Sequence, residues 1–221
     1  MSDSGGGSGT ERRPRRLPMF PLGTVLFPYA LLPLHVFEPR YRLMVRERLR
    51  DDHEFGVVLI ERGSEVGGGD ARFDAGTLAR IVRATELDDG RYALTAVGVR
   101  RLRVQEWLPD DPYPQAVVVE LDDPALPDAD FDDAHATAAR VGRALQRLFE
   151  LWATFEPRVA DVRVELANDP RQAAYEAAAT APLAPLDAQR VLEAGDTHTR
   201  LALLESLLHD EIALLEARRS G

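Results

Sequence analysis

Leu17-Pro18-Met19-Phe20-Pro21-Leu22, then Leu26-Phe27-Pro28, then Leu32-Pro33-Leu34-His35-Val36-Phe37-Glu38-Pro39-Arg40-Tyr41-Arg42: this run, punctuated by proline and aromatic residues, decides the fold. It reads as two short apolar strands separated by a loop that Phe27-Pro28 closes, the second strand running directly into a helix. Proline has no amide donor, so within sheets it is confined to edges, bulges and first positions. Its repeated use here is the chemistry of barrel corners and not of the interior of a doubly wound sheet.

Outward from this run the pattern continues as strands. Tyr41, Met44, Val45 and Leu49 share one face of a helix over residues 40–50, with Glu38 placed to cap it and Pro39 at its first position, where a missing amide costs nothing. Phe55 to Ile60 is a continuous apolar run, read as a buried strand. Gly63 to Gly76, with Gly67-Gly68-Gly69 inside it, reads as a long flexible connection, and Thr77 to Leu87 as the next strand. Asp89-Gly90 is a residue pair suited to a two-residue type I′ hairpin turn. In the strand that follows, Tyr92, Leu94, Ala96, Leu102 and Val104 share one parity, and Gly98 offers a place to bend. Tyr113 to Leu121 is the closing strand. Five or six strands with one intervening helix predict a small closed or half-closed barrel.

The composition changes at Asp122-Asp123-Pro124. A linker over residues 123–130 leads into a helical region over residues 131–221. The first helix is expected over residues 132–155, ended by Pro157. Asp169-Pro170 starts the next and Pro182 stops it. Asp187 is placed to cap a third, with Leu186 and Val191 as a hydrophobic staple. Gly195 ends that helix and Asp196 caps the last, where Leu201, Leu204, Leu208, Ile212 and Leu215 form an apolar stripe. The fold class is therefore α+β.

Charge and composition exclude several functions. The 221 residues carry a net charge of −10, divided as +2 over residues 1–16, −4 over residues 17–122 and −8 over residues 123–221. An acidic C-terminal half repels phosphate backbones, so no nucleic-acid partner is expected. The basic stretch Arg12-Arg13-Pro14-Arg15-Arg16 is too short to alter this, and residues 1–16 are read as a disordered, solvated tail. All 27 basic residues are arginine. Without lysine there is no phosphate-binding loop of the Walker type, no Ser-Lys dyad and no Schiff base. Without cysteine there is no disulfide, thiolate nucleophile or sulfur ligand. The polar, Gly/Ser-rich N-terminus lacks a signal-peptide core, and no stretch approaches the ~20 apolar residues of a membrane span. The expected location is cytoplasmic, with no membrane partner.

The candidate chemical groups do not converge. Ser64 falls in the glycine-rich connection and Ser206 in the middle of the last helix, neither on a nucleophile elbow. His35, His53, His135, His198 and His209 make no metal-binding spacing. Glu205 and His209 lie one helical turn apart and read as a side-chain contact, whereas His35, in an apolar strand, reads as structural. The acid pairs Asp51-Asp52, Asp88-Asp89, Asp110-Asp111 and Asp132-Asp133 sit at turns and helix starts, where turn chemistry accounts for them. Arg100, Arg101 and Arg103 alternate between strand faces and read as a salt-bridged surface. No catalytic residue, metal or cofactor is expected.

The chain resembles, over about two hundred residues, the N-terminal substrate-binding domain of ATP-dependent Lon proteases in its stand-alone bacterial form. The resemblance is carried by Leu17–Leu49, Phe55–Ile60, Gly76–Ile81, Gly98–Val104 and Tyr113–Ala116, and by the two-helix unit Tyr175–Arg218. It implies a PUA-like β-barrel over residues 17–122 followed by an α-helical bundle, and a barrel that recognises protein substrates. The ATPase and peptidase modules of Lon have no counterpart in these residues, so no catalytic residue is carried over and no enzyme activity is expected. The function implied is a non-catalytic module, adaptor- or holdase-like, binding exposed apolar segments of unfolded or extended polypeptides, with a protease or chaperone as a possible collaborator. The alternatives are a structural or regulatory protein with one specific folded partner and, last, an RNA-binding barrel. The residues read as the polypeptide-binding surface are Phe27, Pro28, Tyr29, Leu31 and Leu32, because the connection Gly23–Pro33 joins two barrel strands and should cross the outside of the molecule. An apolar connection there either leaves Phe27 and Tyr29 partly exposed or folds inward to cap the barrel.

Overall fold

The computed structural model describes residues 12–62 and 71–220, and its contacts divide the chain between Asp122 and Asp123. The first unit contains β1 (Arg15–Leu22), β2 (Leu31–Val36), α1 (Pro39–Arg48), β3 (Glu54–Arg62), β4 (Ala71–Glu86), β5 (Tyr92–Leu108) and β6 (Gln115–Leu121). They form one six-stranded sheet in the order β2-β5-β4-β3-β1-β6, and β5 also pairs with β6. Five strands are thus hydrogen-bonded in a circuit, with β2 attached outside it. The long β5 makes this possible by dividing its length: Tyr92–Val97 pair with β2, and Arg101–Leu108 with β6. Register shifts at Leu78/Ala79, Ile81/Arg83 and Val104/Glu106 mark bulges, which add the local twist that a curling sheet needs. The β4–β5 pairing is antiparallel, and β1 runs parallel to β3.

The prolines of β1 occupy an interior strand, and backbone parity explains how. Arg15–Pro18 pair with β6, and Met19–Leu22 with β3. The Met19 amide donates to the Pro114 carbonyl at 2.8 Å, so Pro21, two residues on, turns its nitrogen to the same side, beyond the first residue of β6. Pro18 faces the opposite side, one residue before the β3 ladder begins. Each proline therefore points where no ladder bond is missing. Strand β1 is also buried on both faces: Leu17 and Met19 join one apolar cluster, with Val58, Leu78, Leu102 and Val118, while Phe20 and Leu22 join the other, with Val36, Tyr41, Met44, Phe55, Ile81 and Leu94. This is why its sequence is continuously apolar instead of alternating.

Several local expectations are corrected. Glu38 stands at the N-cap of α1, but its carboxylate bonds the Arg40 side chain at 3.1 Å and makes no cap hydrogen bond. Strand β4 begins at Ala71, inside the expected connection; Arg72 bonds Asp110 and lies 4.8 Å over the Trp107 ring, and Trp107 donates to Asp74, so polar cross-strand contacts extend the ladder. Residues 63–70, including Ser64 and Gly67-Gly68-Gly69, lie outside the described residues, as do residues 1–11. The hairpin is not type I′: of its residues only Gly90 has positive φ, at 78°, and the turn closes from the Gly90 amide to the Leu87 carbonyl. The stretch expected as a solvated arm is anchored from Arg12 onward. Arg12 donates to the Glu120 carbonyl, and Arg15 reaches Glu120 at 2.8 Å and Glu54 at 2.7 Å. Burial works against the Arg15 charge, but these two carboxylates outweigh it and raise its pKa.

The second unit holds α2 (Asp128–Trp152), a short 3-10 turn (Pro157–Val159), α3 (Pro170–Thr180), α4 (Pro185–Glu193) and α5 (Thr197–Ser220). Helix α2 starts earlier than expected, inside the presumed linker, with Asp128 and Asp130 in its first turn, where the helix dipole favours them. Helix α4 starts at Pro185, so Asp187 lies inside its first turn instead of capping it, and Leu186 is exposed within that turn and not at the position before the cap that a staple uses. Asp169 caps α3 by accepting the Arg171 amide, and Asp196 caps α5 by accepting the Thr199 amide. On α5, Leu201, Leu204, Leu208 and Leu215 are buried. Arg200 is buried as well, its guanidinium 4.2 Å over the Tyr175 ring and bonded to the Ala194 carbonyl at 2.7 Å. It reaches Asp123 at 3.4 Å, and the Tyr175 hydroxyl donates to the same carboxylate. These partners of the buried charge are polar or aromatic, and they offset its desolvation.

Candidate functional site

The connection between β1 and β2 leaves the sheet at the exposed Gly23 and Thr24, turns inward over residues 26–28 and outward again at Tyr29. Leu26 and Phe27 are buried, and so is Pro28. The backbone explains this. The Leu26 carbonyl accepts the buried Thr77 hydroxyl at 2.5 Å, the Tyr29 amide donates to the Gly98 carbonyl at 2.8 Å, and the Gly98 amide returns to the Ala30 carbonyl at 2.9 Å. A buried loop must have its polar groups satisfied in this way. Gly98 is the seat: a Cβ there would lie 2.1 Å from the Phe27 carbonyl oxygen. The glycine read as a place for the strand to bend is the place where this loop meets the sheet. At Phe27 and Pro28 the inward alternative therefore holds, and these two are internal and not exposed contact residues.

Tyr29 and Leu31 behave differently. Tyr29 takes a left-handed φ of 67° and is 51% exposed, and Leu31 is 68% exposed. Leu32 belongs to β2 and is half-buried against the core. Beyond it, the alternation of the strand carries Leu31, Pro33 and His35 to the outer face, and Phe37 just past its end is 54% exposed. His35, read as structural from its apolar surroundings, is an exposed member of this row. Phe37 was missed by sequence reasoning; its signal was parity with Pro33 and His35.

Strand β2 is an edge. It pairs with β5 only, and among the described residues no strand lies on its other side. The Gly98 amide bonds across to Ala30, so the even-numbered residues Leu32, Leu34 and Val36 direct their backbone groups to β5. The odd-numbered residues Leu31, Pro33 and His35 direct theirs to the open side. Pro33, without an amide, sits where a strand tolerates it.

Along this edge lies a cleft of about 200 Å³, lined by the consecutive residues 33–38 together with Phe20, Leu22 and Tyr41. A wall of consecutive residues, when side chains alternate, means that the strand backbone itself forms that wall. Phe20 and Tyr41 stack beside it with centroids 4.2 Å apart, and Arg40 lies 4.5 Å over the Tyr41 ring. On the outer face a shallow depression is bounded by Pro33, His35, Arg83, Thr85, Ala93 and Thr95. Both surfaces are chiefly apolar and hold no convergent acid–base or nucleophilic set.

The remaining candidates disperse. Glu205 bonds Arg140 at 2.8 Å instead of His209, and Ser206 is exposed on α5. Asp52 and Asp89 accept the amides two residues on, as turn acids do. Arg100 pairs with Glu120 and Asp122 of the neighbouring strand end. Among the described residues no three His, Asp or Glu side chains gather as a metal site, and no helix is long and apolar enough to cross a membrane. In the helical unit a second hollow between α2 and residues 164–168 contains His135 and Gln146. His135 meets the Asn168 carbonyl and Gln146 accepts the Val164 amide, so this hollow seats the chain's own segment.

An α+β unit with a curled sheet and an apolar cleft at an open edge has the character of a recognition domain. Residues 16–210 match the ATP-dependent protease La (LON) substrate-binding domain, and the chain belongs to that family. It is 30% identical to Lon protease 2 of Myxococcus xanthus over 93% of this chain and 25% of that protein. It is 28% identical to the Lon protease of Anaeromyxobacter dehalogenans over 93% of this chain and 24% of that protein. The chain thus spans about a quarter of these relatives' length. Among solved structures, a Lon N-terminal domain protein from Xanthomonas campestris matches with a TM-score of 0.57 at 29% identity, over 87% of this chain and 98% of that one. The N-terminal domain of a Mycobacterium avium complex Lon protease has the same fold, with a TM-score of 0.56 at 17% identity, over 89% of this chain and 99% of that one.

Proposed function

We propose that the chain is a non-catalytic module that captures extended apolar segments of other polypeptides, as an adaptor or holdase, and that its two units are a PUA-like barrel and a helical bundle. The observation that carries this reading is the apolar row Tyr29, Leu31 and Phe37, exposed beside the open edge of β2 in a substrate-binding family domain. Exposed aromatic and aliphatic side chains on and flanking one strand offer contact area at low entropic cost. The absence of lysine from the chain is consistent with a binding role in which neither ATP nor a peptide bond is turned over. Binding of reduced, carboxymethylated α-lactalbumin, which stays unfolded, is compared with binding of native α-lactalbumin by fluorescence anisotropy. Preference for the unfolded form is the expected result. Equal affinity for both, or binding of neither, defeats the reading; capture of a single stoichiometric folded partner from a lysate in that case favours a dedicated interaction protein.

A further inference from the structure

We infer that the captured segment is held as an added β-strand along the open edge of β2, with Leu31 and His35 as its two full backbone anchors; this rests on the polypeptide-binding reading above. The edge presents outward the amide and carbonyl of Leu31, the carbonyl of Pro33, and the amide and carbonyl of His35. A row of alternating partial charges at this spacing is complementary to one kind of ligand, another extended backbone. Side-chain chemistry agrees with it. In an added strand, alternate side chains would point over the cleft at Phe20, Leu22 and Tyr41, and the intervening ones would lie beside Leu31, His35 and Phe37 on the outer face. A segment with apolar residues at every second position satisfies the inner surface and leaves the other set free to vary. Pro33 defines the register: opposite it the ligand can donate one bond but receives none, so pairing is strongest two residues to either side.

The test removes a backbone donor without touching the ladder. In His35→Pro the lost amide is one that points away from β5, and Leu34 is already extended, as a residue before proline must be. Binding of reduced, carboxymethylated α-lactalbumin is expected to weaken about tenfold with an unchanged melting temperature, whereas His35→Ala, which loses the same side chain and keeps the amide, is expected to weaken it far less; equal losses in the two variants overturn strand addition. Parent-like binding by a folded His35→Pro overturns strand addition and leaves polypeptide binding standing. Failure of the parent to bind the unfolded probe overturns both. Should His35→Pro not fold, amide hydrogen exchange in the parent decides. Saturation with the probe is expected to slow exchange at Leu31 and His35 while Leu32 and Leu34, already bonded to β5, are unaffected, and unslowed exchange at Leu31 and His35 overturns the proposal.

Discussion

At Gly98 a single missing methyl group determines what is inside and what is outside. The Phe27 carbonyl occupies the space that a Cβ would need, and the Tyr29 and Ala30 backbones close hydrogen bonds around it. The contact is with backbone, so no rotamer change relieves it. Gly98→Ala is expected to cost about 1–3 kcal/mol, as overpacking does, read as a lowered denaturation midpoint with an unchanged slope. The sequence shows the glycine and permits a bend; it cannot show that a loop more than sixty residues earlier in the chain needs the same space. Parity, by contrast, was legible at the residue scale. Leu31, Pro33, His35 and Phe37 fall on one face by counting alone, and the local apolarity of the run drew the reading to Phe27-Pro28 instead. Tyr113 carries a similar lesson. Its hydroxyl donates to the Glu47 carboxylate, and burial together with that carboxylate raises the phenol to about 12, a pairing across sixty-six residues that no local pattern announces.

Elements were legible where capping and proline chemistry are local. Asp169-Pro170 and Asp196 start their helices as their positions predict, because each carboxylate reaches an amide within the same turn. Asp187 did not, since Pro185 opens α4 two residues earlier and its fixed φ suits the first turn. The bulges and the parallel β1–β3 pairing depend on partners distant in sequence, and periodicity carries no information about them. The working caps give a signed pH effect. For Asp169 the Arg171 side chain and amide hold the carboxyl below the usual range; for Asp196 burial pushes upward, but the Thr199 amide and hydroxyl outweigh it. A lowered folded-state pKa means that the folded form binds fewer protons in this window. The stabilisation is complete above the unfolded carboxyl value of about 4 and fades as the pH falls through the lower folded value. Asp196→Ala is expected to cost about 1 kcal/mol at pH 7, and the gap between parent and variant should narrow on acidification below about pH 4. A gap that stays constant or widens in acid contradicts the capping assignment.

For the whole molecule, packing and exposure fall on near neighbours within one connection. Phe27 is packed inside, and Tyr29, two residues on, stands half out of the surface, so the same loop serves as plug and as rim. Nothing in the sequence separates two aromatic residues flanking one proline. What separates them is the left-handed backbone at Tyr29, held by the bond of its amide to Gly98, which reverses the direction of the chain before β2 begins. The two serine variants should therefore differ in kind. Phe27→Ser is expected to lower stability by about 3–5 kcal/mol through the lost buried ring, seen as an earlier denaturation midpoint. Tyr29→Ser should leave that midpoint nearly unchanged and weaken binding of unfolded α-lactalbumin, because the exposed ring contributes contact area and little to the core. If Tyr29→Ser destabilised the fold as Phe27→Ser does, the exposed row would belong to the packing of the first unit, and the edge of β2 would lose its claim to be the recognition surface.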